Sequence, residues 1–411
     1  GFQPRLLLQA GLYRHSRPSP ASFERLKQAA TQGAGITRLR GNLQAAQGAT
    51  SKRHASRSTR RRRRNTMVLT TLVRRSAACV SLAVAQALHT RCDRGVRFGV
   101  VADVQYCDID DARNFAGTEV RFYRGSLDGA RRAARGFEEA RLGRGLDFVA
   151  QLGDLIDGQN AGGYGALKGK KPRSKKALDE VLEALGACPV THYHCVGNHE
   201  LYNFEPDQLV EGPLNANNHV IASGKLYHAF VHDGWTFIVL NPYEASSSLP
   251  KHTHGYKAAA KVLTEKNPNP VLSDEPCNFF EGLAGEGMRF VPFNGAVGET
   301  QRKWLAEVLS KAPGPCVVFS HLPLFHESCS WRNVAWDSPE VLEVLREAGN
   351  VVAVVAGHSH SGGYALDDHG IHHVVVEATL THETAFGICE CLGDGSITIA
   401  GEGSVPSRVL A

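Results

Sequence analysis

From residue 96 onward, short apolar runs alternate with segments whose apolar positions recur at helical spacing. Val96–Ala102, Phe148–Leu152, Val190–Val196, Cys316–Phe319 and Val351–Ala356 are short and rich in β-formers, the pattern of buried strands. Ser126–Leu142, Ser174–Leu185, Thr300–Leu309 and Pro339–Ala348 carry the helical period and fall between them. Alternating strands and helices predict an α/β fold. Tyr227–Val231 and Thr236–Leu240 read as paired strands around a turn at Asp233-Gly234. The segments Ile371–Val376, Ala385–Cys391 and Ser396–Ala400 read as antiparallel strands. Residues 244–298 are rich in Pro, Gly, Asn and Ser, with one helical patch near Ala258–Leu263, and read as an insertion or lid.

The five apolar strands share a second feature: each ends in side chains able to bind a metal. Asp103 and Gln105 follow the first, Asp154 the second, Asn198 and His199 the third, His321 the fourth, and His358 and His360 the fifth. In open α/β sheets ligands sit outside the carboxyl ends of the strands, so five such ends would gather these residues at one edge. Asp, Asn, Gln and His supply oxygen and imidazole nitrogen, a set suited to divalent ions of intermediate hardness. Glycines at 153, 197 and 357 allow tight turns straight off the strands. His192, His194, His219, His228, His372, His373 and His382 match no such block and read as structural or exposed.

Charge divides the chain at the same boundary. Residues 1–95 hold 19 Lys and Arg against 2 Asp and Glu, including the run Arg60–Arg64, whereas the remainder holds 27 against 39. The overall +5 is therefore a property of the tail. Its composition cannot bury a core and reads as disordered. It serves either as a targeting peptide or anion-binding arm, or as upstream sequence of a gene model whose translation starts at Met67. The Arg-bearing apolar stretch Ser76–Leu88 leaves organellar targeting open. The mildly acidic body argues against a surface that coats nucleic acid. No run approaches the ~20 apolar residues of a membrane span, and a soluble monomer is the expectation. Ten scattered cysteines form no paired zinc framework and no disulfide scaffold; as small core residues they point to a reducing compartment, the cytoplasm first.

The order and type of the strand-end blocks resemble the calcineurin-like metallophosphoesterase superfamily, with its D-x-H, GDxxD, GNHE, lone His and GHxH motifs. The resemblance spans residues 96–364. It implies a four-layer αββα sandwich of two mixed sheets flanked by helices, covering 96–411 behind the basic tail. It also implies two divalent ions, one held by Asp103, Gln105, Asp154 and His360, the other by Asp154, Asn198, His321 and His358, with Asp154 bridging. Two cations about 3.5–4 Å apart clamp the attacking and leaving oxygens of an in-line displacement and acidify a bridging water. With Asp103, Asp154 and a hydroxide the first shell keeps a charge of about +1, which favours an anionic substrate. His199 would protonate or stabilise the leaving oxygen. Asp157 and Glu200 would orient ligand or catalytic groups. Gln105 departs from the usual His; its harder oxygen favours Mn²⁺, with Mg²⁺ as the other choice, over Zn²⁺.

Further residues narrow the resemblance. Asp103-Val-Gln-Tyr106, Asn114-Phe115, Arg121-Phe-Tyr-Arg124, Gly197-Asn-His-Glu-Leu-Tyr-Asn-Phe204 and Gly357-His-Ser-His-Ser-Gly-Gly-Tyr364 look like the manganese-dependent ADP-ribose/CDP-alcohol diphosphatase family. That likeness implies a small-molecule nucleotide substrate, cleaved to a nucleoside monophosphate and a phosphorylated alcohol or sugar. Phe115 is the candidate base-contacting ring, Arg124 a phosphate contact and Asn203 a further substrate contact. Two other readings stay open: a cyclic-nucleotide or other phosphodiesterase on the same metal core, and a non-catalytic metal-binding scaffold.

Overall fold

The computed structural model describes residues 95–411 except 115–116, 213, 215–223 and 274. The expectations for residues 1–94 of the tail, for Phe115 and for His219 therefore lie outside the described residues.

Fourteen strands are described, in chain order β1 (Val96–Val101), β2 (Ala112–Arg113), β3 (Val120–Arg121), β4 (Phe148–Gln151), β5 (Thr191–His194), β6 (His228–His232), β7 (Trp235–Val239), β8 (Cys316–Ser320), β9 (Val351–Ala356), β10 (Gly363–Leu366), β11 (His372–Val375), β12 (Ala385–Cys391), β13 (Ile397–Gly403) and β14 (Arg408–Leu410). They form two six-stranded sheets, β14-β13-β12-β1-β4-β5 and β10-β11-β9-β8-β7-β6, and a small β2-β3 ribbon. Both large sheets are mixed. β1, β4 and β5 run parallel in the first, and β7, β8, β9 and β11 in the second. The helices that matter here are α1 (Gly125–Gly143), α2 (Ser174–Leu185), α3 (Asn198–Asn203), α4 (Pro206–Val210), α5 (His254–Lys266), α6 (Glu299–Lys311) and α7 (Ser338–Ala348). α1 and α2 pack together beside the first sheet, and α6 and α7 beside the second.

The sheets meet through alternate residues of each strand, as the period of two requires. Phe98 and Phe148 of the first sheet and Phe237 and Phe319 of the second are buried in one shared cluster. Phe98 stacks on Phe148 with ring centroids 5.1 Å apart and meets Phe237 and Phe319 edge-on at 5.5 and 5.6 Å. Aromatic pairs of this geometry contribute about 0.5–1.5 kcal/mol beyond their buried area. Six of the eight described cysteines are buried. Among the described residues no helix is long and apolar enough to cross a membrane.

One strand runs against expectation. β11 pairs antiparallel with β10 but parallel with β9. The half-buried, glycine-led β10 carries too little apolar pattern to be read from sequence, yet it reverses the chain once more before β11 and so turns that strand parallel to β9. Residues 244–298 link β7 to α6. They contain α5, whose Ala259 and Leu263 form a small core with Trp336 from outside the segment, and a bridge between Ala245 and Ala296 that joins the ends of the segment.

Candidate metal centre

The carboxyl ends of β1, β4, β5, β8 and β9 lead directly into the predicted blocks, and the blocks converge. Backbone bonds tie neighbouring blocks together within each sheet. Asp103 N–H donates to the Gly153 carbonyl (3.2 Å), Gln105 N–H to the Asp154 carbonyl (2.8 Å) and Gly357 N–H to the His321 carbonyl (3.1 Å). Five non-glycine residues among those described have positive φ, and four belong to the predicted ligand set: Asp103 (49°), Gln105 (41°), Asp154 (56°) and His358 (66°). A left-handed residue with a side chain costs on the order of 1–2 kcal/mol, so the backbone is held in unfavourable turns to aim these groups. The glycines serve two purposes. Gly153 takes φ +97°, as a tight turn requires. Gly197 is extended, and its requirement is close approach: a Cβ there would lie 2.0 Å from Asp154 Oδ1, and one at Gly357 2.6 Å from Asp103 Oδ2.

The side chains interlock. Asp154 Oδ2 accepts from Gln105 Nε2 (3.0 Å) and lies 3.4 Å from His321 Nε2, while Asp154 Oδ1 accepts from His199 N–H (2.9 Å). Asp103 Oδ2 accepts from His358 N–H (2.9 Å), and Asp103 Oδ1 lies 3.7 Å from His360 Nε2. His321 Nε2 and His358 Nδ1 are 3.1 Å apart. Asp154, His321 and His358 alone offer three ligand atoms that all lie within 4.8 Å of one another. Asn198 stands on the first turn of α3, beside Gly197, and its Oδ1 accepts from Tyr243 Oη (3.2 Å).

The donor set fits a pair of divalent cations. Asp103 Oδ1 is buried with no hydrogen-bond partner, which is costly for a carboxylate oxygen unless a cation meets it. The imidazoles of His321 and His360 are held from outside, His321 Nδ1 by the Leu152 carbonyl (2.7 Å) and His360 Nδ1 by Glu119 Oε1 (2.9 Å). Both acceptors place the ring proton on Nδ1 and turn the Nε2 lone pair inward. Charge follows the same logic. Burial opposes ionisation of His321, but the carboxylates of Asp154 and Asp103 lift it to about 9. Burial raises Asp103, whereas Asp154 is held below the usual carboxylate range because His321 and His199 outweigh its burial. Burial and the charge of His321 hold His358 well below the usual imidazole range. The pocket thus concentrates negative potential that a cation satisfies.

His199 lies on the wall of this cluster, with Nε2 3.9 Å from Asp154 Oδ2. Its Nδ1 accepts from Gly158 N–H (2.7 Å), so the neutral ring carries its proton on Nε2, the nitrogen facing Asp154. Asp157 sits 3.5 Å from that same Nδ1, but its Oδ1 caps the following turn by accepting from Gln159 N–H (2.9 Å). Glu200 uses both oxygens to accept from the N–H groups of Asp154, Leu155 and Gly197, which fixes the loop under the bridging carboxylate. Burial and the charge of Asp154 push Glu200 up to about 7, although those backbone N–H groups oppose the shift.

Two expected substrate contacts are placed differently. Arg124 is half-exposed and pairs with Asp108 (2.8 Å) and Asp110 (2.6 Å), which commits its guanidinium to surface carboxylates. Asn203 has both ends of its amide engaged: Nδ2 donates to the His199 (2.8 Å) and Asp157 (3.2 Å) carbonyls, and Oδ1 accepts from Ser174 Oγ (2.7 Å). It braces α3 against the loop after β4. Sequence reasoning missed Glu119, Asn294 and Tyr243. They come from the β2–β3 ribbon and from the loops after β7, and no motif marks them; the Asn-Gly pair at 294–295 reads only as a turn.

This geometry, two mixed sheets with a carboxylate–imidazole cluster across their carboxyl ends, defines a metal-dependent phosphoesterase. The chain belongs to the calcineurin-like phosphoesterase family, whose model matches residues 96–362. More particularly, it is 34% identical to the manganese-dependent ADP-ribose/CDP-alcohol diphosphatase of Danio rerio over 76% of this chain and 97% of that protein. It is 35% identical to the rice (Oryza sativa subsp. japonica) protein of that name over 74% and 91%. A crystal structure of a dimetal phosphatase from Danio rerio superposes with a TM-score of 0.70 at 31% identity, covering 78% of this chain and 99% of that one.

Proposed function

We propose that the chain is a manganese-dependent hydrolase of the diphosphate bond in ADP-ribose and in CDP-alcohols of the CDP-choline type. The products are a nucleoside monophosphate and a phosphorylated sugar or alcohol. The observation that carries this reading is the presence of the whole strand-end constellation, Gln105 included, in a chain that spans nearly the full length of relatives named for that activity. Asp103, Gln105, Asp154 and His360 would hold one cation; Asp154, Asn198, His321 and His358 would hold the other. The bound ions supply Lewis acidity toward the phosphoryl oxygens and lower the pKa of water.

The protein's own groups do the rest. His199 presents an Nε2–H donor beside Asp154, placed to hydrogen-bond or protonate the departing phosphate oxygen. Gly158 N–H holds that tautomer, and Asn203 holds the His199 main chain. Asp157, fixed by Gln159 N–H and with Oδ2 3.5 Å from the ring, would limit the movement of His199. Gln105 would turn its amide oxygen to the ion in place of the Nε2 that now faces Asp154 and His360.

The test is turnover by the purified protein of ADP-ribose, CDP-choline and cyclic AMP, each with Mn²⁺, Mg²⁺ and Zn²⁺. ADP-ribose and CDP-choline cleaved fastest with Mn²⁺ is the expected result. Dominant cyclic AMP hydrolysis would replace this reading with that of a cyclic phosphodiesterase. Folded protein that binds Mn²⁺ yet turns over no diester or diphosphate would make it a scaffold.

A further inference from the structure

The segment between β7 and α6 brings to the cluster a side chain that belongs to no strand-end block. Asn294 is fully buried. Its Nδ2 donates to the carbonyl oxygens of Arg289 (2.9 Å) and Arg332 (2.8 Å). Two carbonyl acceptors decide which end of the amide is which, so Oδ1 is the atom 3.0 Å from His358 Nε2. An amide oxygen only accepts. His358 therefore carries its ring proton on Nε2, and the lone pair of Nδ1 points at His321 Nε2, 3.1 Å away. The Leu152 carbonyl holds the Nδ1 proton of His321, so its Nε2 is the atom that meets either a cation or, without one, a second proton. Two nitrogen lone pairs brought this close repel unless a cation or a proton lies between them.

We propose that Asn294 is a positioning residue of the metal centre: its amide oxygen locks His358 in the Nε2–H tautomer, so that Nδ1 is the nitrogen offered to the cation shared with His321 and Asp154. This rests on the metal-centre reading above. It also changes the role of residues 244–298. The ends of the segment are bridged at Ala245 and Ala296, the Phe293 ring lies 5.8 Å from that of His358, and Asn294 grips a ligand from behind. The segment is built as a strap that completes the centre, not as a lid that clears it.

Two measurements decide the matter. Long-range ¹H–¹⁵N correlation spectra of the ¹⁵N-labelled wild-type protein, without added metal, read the His358 tautomer directly. Nε2–H is expected, and Nδ1–H or an even mixture overturns the proposal whether or not any variant folds. Manganese titration followed by electron paramagnetic resonance then counts bound ions in the wild type and in Asn294→Leu. The wild type binds two; the variant keeps one site and weakens the other by roughly 10–100-fold, the usual effect of losing the group that orients a ligand. Equal affinity at both sites in a folded Asn294→Leu protein sinks the role of Asn294 alone. A wild type that binds no Mn²⁺ sinks the metal-centre reading itself.

Discussion

Among the described residues, two groups of buried and half-buried histidines differ in what surrounds them. At the carboxyl ends of the strands, His321, His358 and His360 each have one ring nitrogen taken by an acceptor from outside, and the other is turned toward Asp154 in His321, toward Asp103 in His360 and toward His321 in His358. Within β5, His192 and His194 are as deeply placed, but His192 Nδ1 meets the Val190 carbonyl (3.0 Å) and His194 Nδ1 meets Gln151 Oε1 (3.3 Å). Among the described residues no carboxylate acts on them. Burial alone then decides their charge, and His194 falls to about 3, with its imidazole neighbours adding to the shift. Burial keeps an imidazole neutral; converging carboxylates and a fixed tautomer turn it into a ligand.

The sharpest break of that contrast is to remove the carboxylate shared by the first group. Asp154→Asn is expected to lower kcat by about three orders of magnitude or more, since metal charge stabilisation is worth several kcal/mol. His194→Asn should leave turnover within about twofold, because its contacts lie outside the converging set; equal losses in the two variants would erase the distinction. Next in size is His199→Gln, expected to cost about a hundredfold or more in kcat, with the number of bound Mn²⁺ ions unchanged. A loss confined to KM would remove His199 from the chemistry.

The strand histidines have their own test, in stability. His194 titrates near 3 when folded and near its ordinary 6.5 when unfolded. Its depressed value means the unfolded chain binds the proton first. Stability is complete above pH 6.5 and is lost progressively as pH falls toward 3. Urea midpoints between pH 7 and 4 should show a fall of about 2 kcal/mol or more, and His194→Asn should flatten it. An unchanged slope would mean that other groups carry the acid sensitivity. The smallest effect is expected of Gln105→His: activity retained, with the Mn²⁺-to-Zn²⁺ activity ratio shifted about tenfold toward Zn²⁺. A constant ratio would refute the role of the amide in metal choice.

Much of this was legible along the chain. Asp103, Asp154, Asn198, His321 and His358 could be found because each directly follows an apolar run, and strand period plus a polar stop is a local signal. The partners of Arg124 and Asn203 were not legible, because a charge or an amide near a motif carries no record of what it pairs with; in the fold Asp108, Asp110 and Ser174 engage them. Glu119 and Asn294 were invisible for the opposite reason, being ordinary loop residues until folding sets them behind His360 and His358.

The sequence by itself determined most of the long elements, the order of the strand ends and the residue types gathered there, since these depend on short-range periodicity and side-chain chemistry. Only the tertiary structure decided the direction of β11, the nitrogen that each histidine turns inward and the residues that hold it there. Those depend on contacts between distant segments, such as Glu119 and His360, 241 positions apart, and no local pattern encodes a partner at that distance.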